Sequence, residues 1–252
     1  MQIKSYTFIV LLGALLITAC KKEYKTDNLA EYLAENSGLE RDDLIACAAG
    51  SAEGLDGTGN FPTSVFFYPV AGATDYRYFE AYNLEDSLDF TKYTQKFMTD
   101  SPVFNGYLWK YNNTGFVNER MGIVTYKTDG KLHVCTPIRL KTNTKPTEIN
   151  PDLLTITENG VNPEFEWEDG MIDENVIYFQ VISDLEGNLI SGTYTYEKNF
   201  TFYDLSNVVL NIKDVDPAPA LLPNQHYRIT MMAVSEDNWV NLICEKGFST
   251  VE

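Results

Sequence analysis

Beyond residue 60 the chain runs in short apolar or alternating stretches divided by turn formers. Ser64–Val70 (SVFFYPV), Asp75–Tyr82 (DYRYFEAY), Gly106–Tyr111 (GYLWKY), Met121–Lys127 (MGIVTYK) and Lys131–Leu140 (KLHVCTPIRL) each predict a strand. Thr128-Asp129-Gly130 supplies a tight turn between the last two. The texture resumes with LLTIT, FEW, VIYFQVIS, LISGTYTY, NFTFYDL, VVLNI, YRITMMAV and WVNLIC between Leu153 and Cys244, with Asp184–Asn188 as a hairpin turn. One short helix is predicted over 28–36 from the spacing of Leu29, Tyr32 and Leu33. Thr26 or Asp27 can cap it and Ser37-Gly38 can stop it. No long amphipathic pattern follows. Gly50–Asn60 is glycine-rich but lacks the Lys-Ser/Thr ending of a phosphate-binding loop, so it reads as a connector. The fold class is all-β.

Lys141–Pro151 (KTNTKPTEINP) is polar, contains two prolines, and marks a boundary between two strand-rich halves. Near the end, Leu221-Leu222-Pro223-Asn224-Gln225-His226-Tyr227 reads L-x-P-x-x-x-Y and precedes the run Arg228–Val234. This resembles the corner and following strand of fibronectin type III domains. The resemblance implies a tyrosine hydroxyl bonded back to the chain. It also implies a strand-B tryptophan in Phe165-Glu166-Trp167, strand C over 176–183 and strand G over 239–249. Asn199–Ile212 is long for such a domain and leaves its middle strands open. In the first half MGIVTY and KLHVCTPIRL resemble an F–G pair, with Cys135 matching Cys244, but no L-x-P-x-x-x-Y corner exists there. The expected organisation is therefore two tandem Ig-like or fibronectin type III-like β-sandwiches, over 38–141 and 151–252, joined by a linker at 142–150.

The start of the chain is different. Lys4 is followed by an apolar run from Tyr6 to Ala19. It is shorter than the roughly 20 residues of a spanning helix and fits a secretory signal. Ile17-Thr18-Ala19-Cys20 resembles the lipobox of bacterial lipoproteins. That resemblance implies removal of residues 1–19, a diacylglycerol and an amide-linked acyl chain such as palmitate on Cys20, and a tether with a short helix over 20–37. Two or more chains make a lasting anchor. Lys21 stands where an Asp would imply inner-membrane retention, so the expected location is the bacterial cell envelope, at the outer membrane, with the exposed face left open.

Composition narrows partners more than activity. Aromatic residues make up 13% of the chain, enough for a large core. Residues 151–252 hold 4 Lys and Arg against 18 Asp and Glu, which disfavours nucleic acid as a partner. Cys47, Cys135 and Cys244 each sit in apolar runs, either as buried thiols or with Cys47 and Cys135 paired. His133 and Cys135 share a strand face and, with Cys47, make a weak metal set; a structural pair is the simpler reading. His226 falls in the corner turn. No nucleophile elbow or H-E-x-x-H motif occurs. Glu166, Glu168 and Asp169, Asp173 and Glu174, and Asp214 and Asp216 are acidic clusters whose spacing selects no chemistry. Tyr107, Trp109 and Tyr111 alternate along one strand, and Trp239 stands in a predicted loop. These four are the candidate ligand contacts. No catalytic residue, metal or cofactor is assigned. The expectation is a lipid-anchored, non-enzymatic module that binds a glycan or an envelope protein. Its rivals are an accessory hydrolase or metal enzyme using the acidic clusters, and a structural spacer.

Overall fold

A computed structural model describes residues 27–50, 63–113 and 118–252. The signal segment, Cys20 and most of the glycine-rich connector lie outside the described residues. Among the described residues there is one α-helix, α1 (Leu29–Glu35), and the rest of the regular structure is mostly strand. The helix cap is Asn28, one position after the expected Asp27: its Oδ1 accepts from the Glu31 N–H at 3.3 Å. Asp27 is diverted because its carbonyl accepts from Gln95 N–H at 2.7 Å.

The first half contributes β1 (Glu40–Leu44), β2 (Ala46–Gly50), β3 (Thr63–Phe67), β4 (Thr74–Ala81), β5 (Thr94–Lys96), β6 (Thr99–Val103), β7 (Leu108–Asn113), β8 (Arg120–Thr128), β9 (Lys131–Cys135) and β10 (Ile138–Leu140). One sheet runs β1-β9-β8-β4-β5, with β10 also on β8; the other runs β2-β3-β7-β6. β8 and β9 form the expected hairpin, and Gly130 takes φ +74° in its turn. The predicted strand Lys131–Leu140 is interrupted at Thr136-Pro137, because proline offers no N–H to a ladder. Rings fill the space between the sheets. Phe67 tilts on Tyr76 at 5.7 Å, and Tyr78 stacks on Tyr111 at 5.6 Å. Helix α1 covers the outer face of the first sheet, where buried Tyr32 meets Phe79 at 5.8 Å.

The second half contributes β11 (Glu148–Ile149), β12 (Leu154–Thr157), β13 (Glu164–Trp167), β14 (Asn175–Asp184), β15 (Leu189–Thr195), β16 (Asn199–Thr201), β17 (Val208–Asn211), β18 (His226–Ser235) and β19 (Val240–Ser249). Its sheets are β11-β19-β18-β14-β15-β17 and β12-β13-β16. The long segment 199–212 resolves into two edge strands. β16 joins β13 in the small sheet, and the chain then crosses to place β17 on β15. In both halves an early strand runs parallel to a late one: β1 beside β9, and β11 beside β19.

The corner forms as the resemblance implies. Leu222 N–H donates to the Tyr227 hydroxyl at 2.9 Å, with Asn224 at φ +56° in the turn. Trp167 is buried against Tyr178, 5.6 Å between ring centres. Tyr227→Phe is expected to cost about 1–2 kcal/mol, since it leaves the Leu222 N–H without its acceptor. Urea unfolding at constant m-value measures it, and an unchanged midpoint would remove the corner's role.

The two sandwiches meet over an apolar layer. Phe66, Cys47 and Leu108 from the first half pack with Phe179, Val181, Met232 and Val240 from the second. The polar segment between them is held inside this contact. Lys141, Thr142 and Thr147 are buried, and Thr147 Oγ1 accepts from Gly50 N–H at 2.8 Å and donates to the Val240 carbonyl at 2.8 Å. At these three positions polarity reflects internal bonds rather than exposure.

Candidate functional site

Aromatic strand residues were the strongest sequence candidates, and the structure separates them. Trp239 is fully buried and its indole N–H donates to the Lys145 carbonyl at 2.8 Å, which closes it to any ligand. Tyr107 does not share a face with Trp109 and Tyr111. It ends a 3-10 turn at φ −67°, ψ −39°, after Asn105 and Gly106 at positive φ. That turn breaks the period-two alternation and sends Tyr107 into the layer between the sandwiches. Trp109 and Tyr111 do share a face, which is turned inward. Trp109 is half-buried and stacks on Tyr76 at 6.2 Å.

Tyr111 nevertheless lines an open cleft of about 340 Å³ where the two sheets of the first sandwich part. One wall is the start of β4, with Asp75, Tyr76, Arg77 and Tyr78; the other carries β5, Phe97, Met98 and Asp100. The gap exists because β5 pairs only with Tyr78–Glu80 and leaves the first part of β4 without a partner on that side. Phe97 is 76% exposed and forms the rim, whereas Tyr78 is buried and forms the floor. Neighbouring charges are already paired. Asp75 holds Arg77 at 3.0 Å and Lys127 at 3.1 Å, and Arg77 lies 4.0 Å above the Tyr32 ring. Burial pushes the Asp75 pKa up, but the bonds from Arg77 and Lys127 outweigh it and hold the carboxyl below its usual range. Burial raises the Tyr111 hydroxyl, and the Asp100 carboxylate adds to the rise, so it stays a neutral hydrogen-bonding group. Behind the wall, Arg77 Nη1 and Gln95 Oε1 have no hydrogen-bond partner.

The other sequence candidates do not converge. His133 stacks on Tyr126 at 4.5 Å, and its Nε2 lies 2.9 Å from Thr128 Oγ1. Cys135 belongs to the first core and Cys47 packs in the layer between sandwiches, so they form no disulfide. Burial pushes the thiols of Cys47, Cys135 and Cys244 up to about 12, which makes them unreactive. Asp169 is bonded by Lys198, by Tyr178 at 2.8 Å and by Asn175 at 2.8 Å; Glu174 is held by Lys145 at 2.6 Å. Glu166 and Glu168 border a second open hollow of about 410 Å³ with Asp152 and Lys198. Among the described residues no three His, Cys, Asp or Glu side chains are grouped to hold a metal ion.

Strand order defines the class: an all-β protein of two sandwiches, the second of which carries a tyrosine corner. No protein-family model matches the chain, and no curated protein matches it. Two solved structures show remote likeness. The chicken CNTN1 FN1-FN3 domains are 11% identical, with 84% of this chain and 67% of that chain covered at a TM-score of 0.32. The chicken interferon gamma receptor alpha chain is 10% identical, with 82% and 97% covered at a TM-score of 0.25. The cleft itself was not legible beforehand, because Phe97 and Met98 lie in the two-residue connection between β5 and β6, and β5 is too short to show a period.

Proposed function

We propose that this chain is a lipid-anchored, non-enzymatic binding module of the bacterial envelope, held at the outer membrane by acyl chains on Cys20, and that the cleft in its first sandwich takes a saccharide. The cleft carries this reading. An exposed ring at its rim can stack on the apolar face of a sugar, while the Asp100 carboxylate and the Tyr111 hydroxyl are placed to bond its hydroxyl groups. The lipobox-like Ile17-Thr18-Ala19-Cys20 supports the anchor. Among the described residues no helix is long and apolar enough to cross a membrane.

Two measurements test the parts separately. A glycan array followed by calorimetry should find a saccharide that the chain binds, and Phe97→Ala should weaken it at least tenfold, about 1.4 kcal/mol. An array without a bound glycan, or a ligand indifferent to Phe97→Ala, ends the saccharide reading. Fractionation of expressing cells should find the wild-type chain with membranes and Cys20→Ala in the soluble fraction. Equal partitioning of the two ends the anchor.

A further inference from the structure

We infer that the segment from Tyr82 to Met98 is the face this protein lays against the bilayer, an inference that rests on the anchoring reading above. Three large apolar side chains stand exposed there: Leu88 at 78%, Phe97 at 76% and Tyr82 at 60%. The chain joins the fold at this same segment. The Asp27 carbonyl accepts from Gln95 N–H at 2.7 Å, Asn28 Nδ2 donates to the Thr91 carbonyl at 2.7 Å, and Leu29 N–H donates to the Tyr93 carbonyl at 3.1 Å. From Cys20 to Asp27 the chain can reach at most about 25 Å when fully extended. An anchor at Cys20 therefore keeps Asp27, and with it the point where the chain joins this segment, within that distance of the acylated residue, whatever path the tether takes. Exposed Met171 and Leu222 belong to the second sandwich and have no such link to the point of entry.

The segment is built to keep its apolar groups outward. The Tyr93 hydroxyl donates to the Ser87 carbonyl at 2.8 Å, and Asp89 Oδ1 accepts from Thr91 N–H at 3.1 Å, which fixes the turn that carries Leu88. Lys96 Nζ donates to the Tyr82 hydroxyl at 2.8 Å. Charge does not select the surface. Glu85, Asp86 and Asp89 nearly balance Lys92 and Lys96, so the contact depends on apolar side chains and not on anionic lipid. Aromatic and aliphatic groups of this kind favour the boundary between headgroups and acyl chains. Phe97 also rims the cleft, so the cleft opens at headgroup level, and its ring meets either lipid or a saccharide at any one time.

The test uses the full lipidated chain in phosphatidylethanolamine–phosphatidylcholine vesicles containing nitroxide-labelled lipid. Leu88→Cys and Phe97→Cys are labelled one at a time with an environment-sensitive fluorophore, and Met171→Cys is the control. Cys135 and Cys244 are buried and Cys47 is partly so, and the same chain without an added cysteine gives the background labelling to subtract. Fluorescence at 88 and 97 should be quenched at least fivefold more than at 171. Addition of Leu88→Asp to the Phe97→Cys chain should bring quenching at 97 down to the control. Equal quenching at all three sites on chains that float with the vesicles overturns the docking face and leaves the anchor standing. Chains that do not float, with an unmodified Cys20 by mass spectrometry, overturn both.

Discussion

Trp239→Ala should be among the most damaging single substitutions in this chain, with a loss of about 3–5 kcal/mol. The residue projects from the β18–β19 loop of the second sandwich, yet its side chain packs in the core of the first. Its loop is fastened there from several directions. Ala48 N–H donates to the Asn238 carbonyl at 3.0 Å, and Arg139 N–H donates to the Asp237 carbonyl at 3.0 Å. Asn238 Nδ2 donates to Thr136 Oγ1 at 2.9 Å. Asn238 takes φ +60° to make the turn that delivers the ring. Truncation empties the site of a whole indole and leaves the partly buried Lys145 carbonyl without its donor. The variant also retains one tryptophan in each sandwich, Trp109 and Trp167. Fluorotryptophan NMR across a urea titration can then follow the halves separately. Wild type should unfold with coincident midpoints, while in the variant Trp109 should report unfolding at lower urea than Trp167. Coincident and unshifted midpoints in the variant would show that the ring does not clasp the sandwiches together.

The burial of Trp239 also shows where sequence reasoning stops. Ser235-Glu236-Asp237-Asn238 around it reads as an exposed loop, and the loop backbone is indeed a turn. What buries the ring is the other sandwich, which leaves no periodic trace in these residues. The contact did leave one signal elsewhere. β14 and β18 are apolar on both faces, so that Met231 faces its own core while Met232 faces the first sandwich. A run buried on both sides is the pattern of a strand covered by two layers. The long strands, the corner and the hairpin at Gly130 were legible because alternation and turn chemistry are local properties. β1 (ERDDL) and β2 (ACAAG) were not. The first is an edge strand with mostly exposed side chains, and the second is made of small residues that fit beneath the second sandwich. Tyr107 was assigned the wrong face for a local reason, the positive-φ turn at Asn105 and Gly106, which no hydrophobic pattern encodes.

Lys141→Met should cost about 2–4 kcal/mol at neutral pH, and the loss should shrink in acid. Lys141 closes the first sandwich and Asp237 sits in the clasping loop of the second. Their atoms are 2.9 Å apart, with the lysine 3% and the aspartate 29% exposed. A pair this buried contributes little beyond a well-packed apolar substitute, but loss of one partner strands the other charge. The cost stays below the full penalty for a buried charge because Asp237 keeps some solvent and a bond from Ser235 Oγ at 2.6 Å. Burial raises the Asp237 pKa, but bonds from Lys141 and Ser235 outweigh it and hold the carboxyl below its usual range. A carboxyl depressed on folding stabilises the protein above its unfolded pKa, and that stabilisation disappears as pH falls through the folded value. Wild type should therefore lose stability below about pH 4 more steeply than the variant. Denaturation midpoints of both proteins from pH 7 to pH 3 measure the convergence. Parallel curves would assign the pair no part in joining the sandwiches and leave Trp239 and the apolar layer to do so.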